Sequence, residues 1–245
     1  MSVIRNTFRD DFEMIEELLG HPSVFASDQR DLFEDTNRTK THVFVTHSDA
    51  DHASGLGHLV KQFDVKRVYW NGHNKARLGF LAQVKASGIG QILSAPARFD
   101  FNGVSLDILH PISTNTSPSS WTRNNASLVI RLTHGQTRFL FAGDIEGPAE
   151  QALVARYSSQ ELEADVLKLG HHGSKTSSTR DFLKSVQAKH AVISVGKGNR
   201  FKMPHTPVLE RLNRLGIKTW RTDEEGLVVF ETDGNQLSSW SYRPR

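Results

Sequence analysis

The 245-residue chain contains no cysteine, which excludes a disulfide framework, a thiol nucleophile, an iron–sulfur cluster and a cysteine-based zinc site. No apolar run approaches the roughly 18 residues of a membrane-spanning helix. The opening stretch, MSVIRNTFRDDFEMIEELLG, lacks the zones of a secretory signal. These absences lead to the expectation of a soluble, cytoplasmic protein with no membrane partner. Neither charge dominates: 30 Lys+Arg stand against 27 Asp+Glu, a net +3, so an anionic partner is permitted but not demanded. There is no fixed-period repeat and no low-complexity tract; the polar stretch 113–125 reads as a loop.

What is present is ordinary globular composition, 37% hydrophobic and 23% charged. A chain of this length buries roughly 70% of its unfolded surface, so its core needs no metal and a bound metal would be functional. Phe8, Phe12, Ile15, Leu18 and Leu19 fall on one helical face that Gly20-His21-Pro22 terminates. Residues 1–40 are therefore expected to form an N-terminal helix and an irregular segment, with one domain over 41–245. From Thr41 onward, short strands alternate with helices. Strands are expected at 42–46, 65–70, 104–109, 127–133, 137–142, 165–169, 190–195, 218–221, 226–231 and 236–240, and helices at 53–62, 75–87, 147–157, 179–186 and 206–215. This predicts a layered α/β fold with mixed sheets.

The segment VFVTHSDADHASGL places four metal-ligand side chains, His47, Asp49, Asp51 and His52, within six residues at a strand end. His47 and Asp49 alternate along the chain, while Asp51 and His52 fall on a first helical turn, an arrangement suited to two neighbouring metal ions. Further ligands would come from other strand ends. Asp144 in FLFAGDIE could bridge two ions, although Gly-Asp after a strand also reads as a plain turn. His171 and His172 follow the strand in ADVLKLGHHGSKTSS, where Ser174 or Ser177 could alternatively cap a helix. His205 precedes Thr206-Pro207, which also reads as an ordinary helix start with Thr206 capping and Pro207 at the first helical position.

Taken in order, THSDADHASGL, RNNASLVIRL, FLFAGDIE, ADVLKLGHHGSKTSS, AVISVGKGNRFKMPHTPVLERL and WRTDEEGLVVFETDG resemble the metallo-β-lactamase-fold hydrolases. Within them, the chain is most similar to the branch of the C-terminal domain of the competence protein ComEC, and Asp49, where many members have His, is a mark of that branch. The resemblance covers about Thr41 to Gly234. It implies an αββα four-layer sandwich and a hydroxide bridging two metal ions. One ion would take His47, Asp49 and His171, the other Asp51, His52 and His205, with Asp144 shared; His172 is the alternative to His171. Carboxylates mixed with imidazoles suit Mn²⁺ as well as Zn²⁺. Relatives usually begin with a strand pair that residues 1–40 do not suggest. If the pair is missing, a sheet edge is left open, which predicts a partner chain, a dimer contact or marginal stability. No counterpart of the ComEC membrane channel is seen in these residues, so DNA uptake is not implied.

A phosphodiester, DNA in particular, is the favoured substrate, because two metals can stabilise the attacking and leaving oxygens together. Asp51, Asp144 and Lys175 are the candidate catalytic residues. Ser174, Lys175, Asn199 and Lys202, with Lys197, Arg200 and Ser177 nearby, are the candidate substrate contacts. A long basic groove flanked by Trp121 and Phe201 would favour nucleic acid. A narrow apolar pocket would favour a small ester such as a phosphocholine ester or lactone. A binding module that kept the fold without turnover is the third reading.

Overall fold

The computed structural model describes residues 3–9, 12–18, 41–53, 56, 60, 65–72, 84, 86–101, 103–112 and 124–243. Among them are fourteen strands: β1 (Val3–Arg9), β2 (Phe12–Leu18), β3 (Thr41–Val45), β4 (Val65–Trp70), β5 (Gly90–Ile92), β6 (Ala97–Phe101), β7 (Val104–His110), β8 (Val129–His134), β9 (Thr137–Phe141), β10 (Val166–Lys168), β11 (His190–Ile193), β12 (Lys218–Arg221), β13 (Leu227–Thr232) and β14 (Leu237–Tyr242). The helices are α1 (Ala50–Ala53), α2 (Gly147–Arg156), α3 (Ser159–Leu162), α4 (Arg180–Val186), α5 (Thr206–Arg214) and α6 (Thr222–Glu225). None is long and apolar enough to cross a membrane. The expected helix 75–87 and the loop residue Trp121 lie largely or wholly outside the described residues.

A seven-stranded sheet, in the order β12-β11-β10-β9-β8-β7-β6, forms the centre. Its faces are set by alternation, since successive side chains of a strand point to opposite sides. Along β9, Phe139 and Phe141 join the cluster with Tyr69, Val228 and Phe230. Leu140 and Ala142 instead pack with Leu153, Phe182 and Val208 of α2, α4 and α5. The first face therefore meets strands of the two smaller sheets, β3-β4-β5 and β14-β13-β1-β2. Val45, Val68 and Trp70 pack on the far side of β3 and β4 with Ala53, Leu56 and Val84. The result is the expected α/β sandwich, with helices outside and sheets inside. Ten of the expected strands are found within a few residues of their predicted bounds; the short β5 and β6 were not anticipated.

The described residues between 8 and 18 correct the expectation of a helix over 8–19. β1 and β2 are antiparallel strands, with Phe8 opposite Glu13 and Asn6 opposite Ile15. β1 also lies antiparallel to β13, pairing Ile4 with Thr232 and Phe8 with Val228. The Glu-, Leu- and Met-rich sequence favours helix locally, but more than two hundred residues away in sequence β13 offers a row of backbone partners, and that non-local pairing decides the outcome. The opening strand pair is thus present, and β1 occupies the edge of β13 that its absence would have exposed. The argument for a second copy or partner chain covering that edge falls with it.

Strands β9 to β12 run parallel, so their C-terminal ends share one rim of the sheet, where ligands of open α/β sheets collect. The Leu128 N–H donates to the Thr46 carbonyl at 2.8 Å, bringing the end of β3 onto the same rim. Behind it, the buried carboxylate of Glu150 on α2 accepts the N–H groups of Ser178 and Thr179. It thereby satisfies the open N-terminus of α4, a role the sequence reading gave as an alternative for Ser174 or Ser177.

Candidate metal centre

After β3 the chain turns at His47 and enters α1, where the Asp49 carbonyl accepts the N–H groups of His52 and Ala53 at 3.1 and 2.9 Å. That turn projects Asp51 and His52 from one helical start. Asp144 follows β9, and its N–H donates to Ser127 Oγ at 3.2 Å. Gly143 has φ +53°, and a Cβ there would lie 2.8 Å from Ser127 Cβ, so only glycine lets the strand end approach this closely. After β10, His171, His172 and Gly173 are all left-handed, with φ of 48°, 51° and 76°.

These elements bring Asp51, His52, Asp144 and His172 together, with one donor atom from each lying within 4.8 Å of the others. His52 Nε2 is 3.2 Å from Asp144 Oδ1 and 3.3 Å from His172 Nε2. His172 Nε2 is 3.1 Å from Asp51 Oδ2. Four ligands at about 2.0–2.1 Å around a tetrahedral ion stand roughly 3.3 Å apart, so these spacings fit a single first-row dication. The buried Nε2 of His47 lies 3.7 Å from Asp144 Oδ2 and has no hydrogen-bond partner among the described residues. A polar atom in that condition is costly unless something ligates it, so the residues fit a metal.

The rings are oriented by groups that sequence reasoning missed. His172 Nδ1 donates to the Ser194 carbonyl at 2.7 Å, which leaves Nε2 facing the cluster. Thr46 Oγ1 lies 3.2 Å from His47 Nδ1 and 3.4 Å from His52 Nδ1. Its oxygen can accept from both Nδ1–H groups, selecting the tautomers that present Nε2 to the cluster. Thr46→Val keeps the shape and removes the acceptor. The expected result is a loss of about 10- to 100-fold in metal affinity, read by calorimetric titration of Zn²⁺ or Mn²⁺. Unchanged affinity would remove Thr46 from this role.

The electrostatics suit cation binding. Burial, reinforced by the neighbouring His52, pushes His47 down to about 4, so its ring is neutral at pH 7. The hydrogen bond with His172 brings Asp51 down to about 2. Burial alone would raise the Asp144 carboxyl, but His52, His172 and His47 hold it well below the usual range. Metal binding requires these protonation states, and two carboxylates facing imidazoles leave a net negative site for a dication to neutralise.

The other candidates are placed differently. His171 turns away from the cluster: its Nδ1 is 3.3 Å from Glu146 Oε1, and its Nε2 is 3.5 Å from Asn124 Nδ2. Of the pair, the structure brings His172 to the donors. Asp49 stays beside His47 and contributes to its electrostatics. His205 is outside the four-residue cluster; its Nδ1 accepts the Lys175 N–H at 3.0 Å. His205, not Thr206, is the N-cap of α5. Asn199 braces its own loop: Nδ2 donates to the Gly196 and Met203 carbonyls and Oδ1 accepts from Met203 N–H. Ser177 likewise donates to the Gly170 carbonyl from a buried position. Ser174 is buried and bonded to Thr176 Oγ1, whereas Lys175 and Lys202 are exposed. Glu146 was also missed; it accepts from Thr176 Oγ1 and exchanges hydrogen bonds with Asn125.

His110 backs this network, donating from Nε2 to the Asn125 carbonyl at 2.8 Å. Burial lowers it from 6.5 to about 4. Above pH 6.5 both folded and unfolded chains hold it neutral. As pH falls toward 4, the unfolded chain gains a proton that the folded one does not, so stability drops by about 3 kcal/mol across that window. Urea midpoints at pH 7.5 and 4.5 should therefore fall less for His110→Gln than for the unaltered chain. Equal falls would contradict this assignment.

A family model described as the metallo-beta-lactamase superfamily matches residues 22–197. The chain belongs to that superfamily. Among its relatives is the ComE operon protein 3 of Bacillus subtilis, 31% identical over 209 residues, covering 82% of this chain and 26% of that protein. The competence protein ComA of Neisseria gonorrhoeae is 37% identical over 136 residues, 56% of this chain and 19% of that one. Recombination protein 2 of Haemophilus influenzae is 30% identical over 187 residues, with 76% and 21% covered. The chain thus spans about a quarter or less of the length of these relatives, and they bear out the ComEC-like resemblance.

Solved structures share the fold. Igni18, a metallo hydrolase from Ignicoccus hospitalis, aligns at TM-score 0.53 and 9% identity, covering 98% of this chain and 100% of that one. CmlA, a diiron beta-hydroxylase from Streptomyces venezuelae, aligns at 0.52 and 12% identity, covering 89% and 52%. One fold serving both chemistries shows that fold alone does not decide the reaction. Superfamily membership and the clustered donors together support a metal-dependent hydrolase.

Proposed function

We propose that the protein is a nuclease or phosphodiesterase acting on DNA with two divalent ions, Mn²⁺ or Zn²⁺. The observation that carries this reading is the set of converging donors Asp51, His52, Asp144 and His172, with a cationic loop fastened beside it. Bound divalent ions supply Lewis acidity to a phosphoryl oxygen and lower the pKa of a coordinated water toward neutrality.

The protein's own groups do the rest. The four clustered residues would hold one ion, and His47 and Asp49 would offer donors for the second. The Asp51 side chain is 51% exposed, which leaves the cluster open to a substrate from solvent. Lys175 follows the His171–Ser174 turn, and Lys197, Arg200 and Lys202 follow Ser194 just past the end of β11; together they supply cations for consecutive phosphates. DNA is preferred to RNA because the similar proteins include competence and recombination proteins.

The deciding experiment incubates the purified protein with labelled single- and double-stranded DNA, and separately with a phosphocholine ester, with and without Mn²⁺ or Zn²⁺. Metal-dependent cleavage of DNA is expected. Ester hydrolysis with intact DNA would replace the substrate, and bound metal without any turnover would make the chain a binding module.

A further inference from the structure

The loop from Ser194 to His205 is held to the metal centre at both ends. At its start the Ser194 carbonyl accepts from His172 Nδ1 at 2.7 Å. At its end the His205 N–H donates to the Gly173 carbonyl at 3.0 Å, while His205 Nδ1 accepts from the Lys175 N–H. Between the two pins, Asn199 closes the loop on itself through Gly196 and Met203. That bracing leaves Arg200, Phe201 and Lys202 at the tip.

Phe201 is 58% exposed, and the Arg200 guanidinium lies 4.7 Å from its ring centroid. Ile92 and Tyr242, the other large exposed apolar residues among those described, lie on β5 and β14. An aromatic held in water on a braced loop pinned to His172 and Gly173 serves no packing purpose. Its surroundings are cationic: residues 194–209 contain Lys197, Arg200 and Lys202 and no carboxylate. An aromatic face flanked by cations along a phosphate-binding rim is how proteins hold unpaired bases.

We propose that Phe201, backed by Arg200, is a stacking platform for an unpaired nucleobase of the substrate, placing a single-stranded segment across the metal centre. This rests on the nuclease reading and deepens it by naming the form of nucleic acid. A base needs an exposed π-face, and a paired duplex presents none except at its ends. The platform therefore selects single strands and frayed termini.

The test measures binding by fluorescence anisotropy, using labelled phosphorothioate oligothymidine and an abasic oligonucleotide of equal length and charge. The unaltered protein should bind oligothymidine about tenfold more tightly than the abasic strand. Phe201→Ala should remove that preference by weakening oligothymidine binding alone, and Phe201→Trp should retain it. Lys197→Ala should weaken both strands equally, through charge. The proposal is overturned if the unaltered protein does not distinguish the strands, if it binds neither, or if Phe201→Ala weakens both alike or neither. Cleavage of ordinary oligothymidine is scored separately: base preference without cleavage in any metal would sink the nuclease reading and leave the platform standing.

Discussion

Asp144→Ala protein should bind divalent metal at least about 100-fold more weakly than the unaltered chain, and metal-dependent hydrolysis should disappear with it. Losing a single group that merely orients a ligand costs about 10- to 100-fold in affinity, and Asp144 lies closer in than that. Its oxygens are 3.2 Å from His52, 3.6 Å from His172 and 3.7 Å from His47, so three imidazoles converge on this one buried carboxylate. Without it they face each other with one carboxylate fewer to balance a dication, and protonation competes with metal. Asp144→Asn separates charge from shape, since it keeps one oxygen acceptor. It should recover the fold fully and metal binding only in small part. Titration with Zn²⁺ or Mn²⁺, alongside a melting curve without metal, reads both. Retained metal affinity in Asp144→Ala would mean that the cluster is not the metal site.

The adjacent histidines should part company just as sharply. His172→Ala is expected to lower metal affinity by more than about 100-fold, whereas His171→Ala should stay within about threefold, because only one ring stands among the ligands. Consecutive residues on a helical turn point about 100° apart, and here the turn is left-handed through His171, His172 and Gly173. His172 consequently reaches Asp51 and Ser194, while His171 reaches Glu146 and Asn124. Non-glycine residues in this conformation each cost about 1–2 kcal/mol, a strain that clusters at functional sites. Equal losses in the two variants would show that both rings ligate.

Much of the centre was legible because its donors cluster in sequence or follow strand ends. HSDADH supplies two of the clustered donors, Asp51 and His52, and Gly-Asp after an apolar strand marks Asp144. The choice between His171 and His172 was not legible, since it depends on backbone φ values that two identical side chains do not reveal. Ser194 was hidden for a related reason: its contribution is a carbonyl, which every residue has. Thr46 could have been found, because a hydroxyl directly before a ligand histidine at a strand end is a candidate orienting group. Asn199 looked like a substrate contact by composition, and only the loop closure shows its amide to be occupied. The helical pattern over 8–19 misleads because β1 pairs with β13, at the other end of the chain, and β2 pairs with β1.

The hydrogen bond from Leu128 to Thr46 fastens the end of β3 beside β8, and it bears on when the centre comes into being. His52, Asp144 and His172 are far apart in the chain, so no local segment brings the clustered set together. Contacts of such long range form late, after loop-closure entropy has been overcome. A half-folded chain therefore has little means of capturing the metal, and an ion that binds only the finished structure deepens its free-energy well in proportion to the logarithm of metal concentration. Metal supply then acts as a check on assembly: chains in which the layers have failed to dock stay empty and unfold more readily than those that have closed.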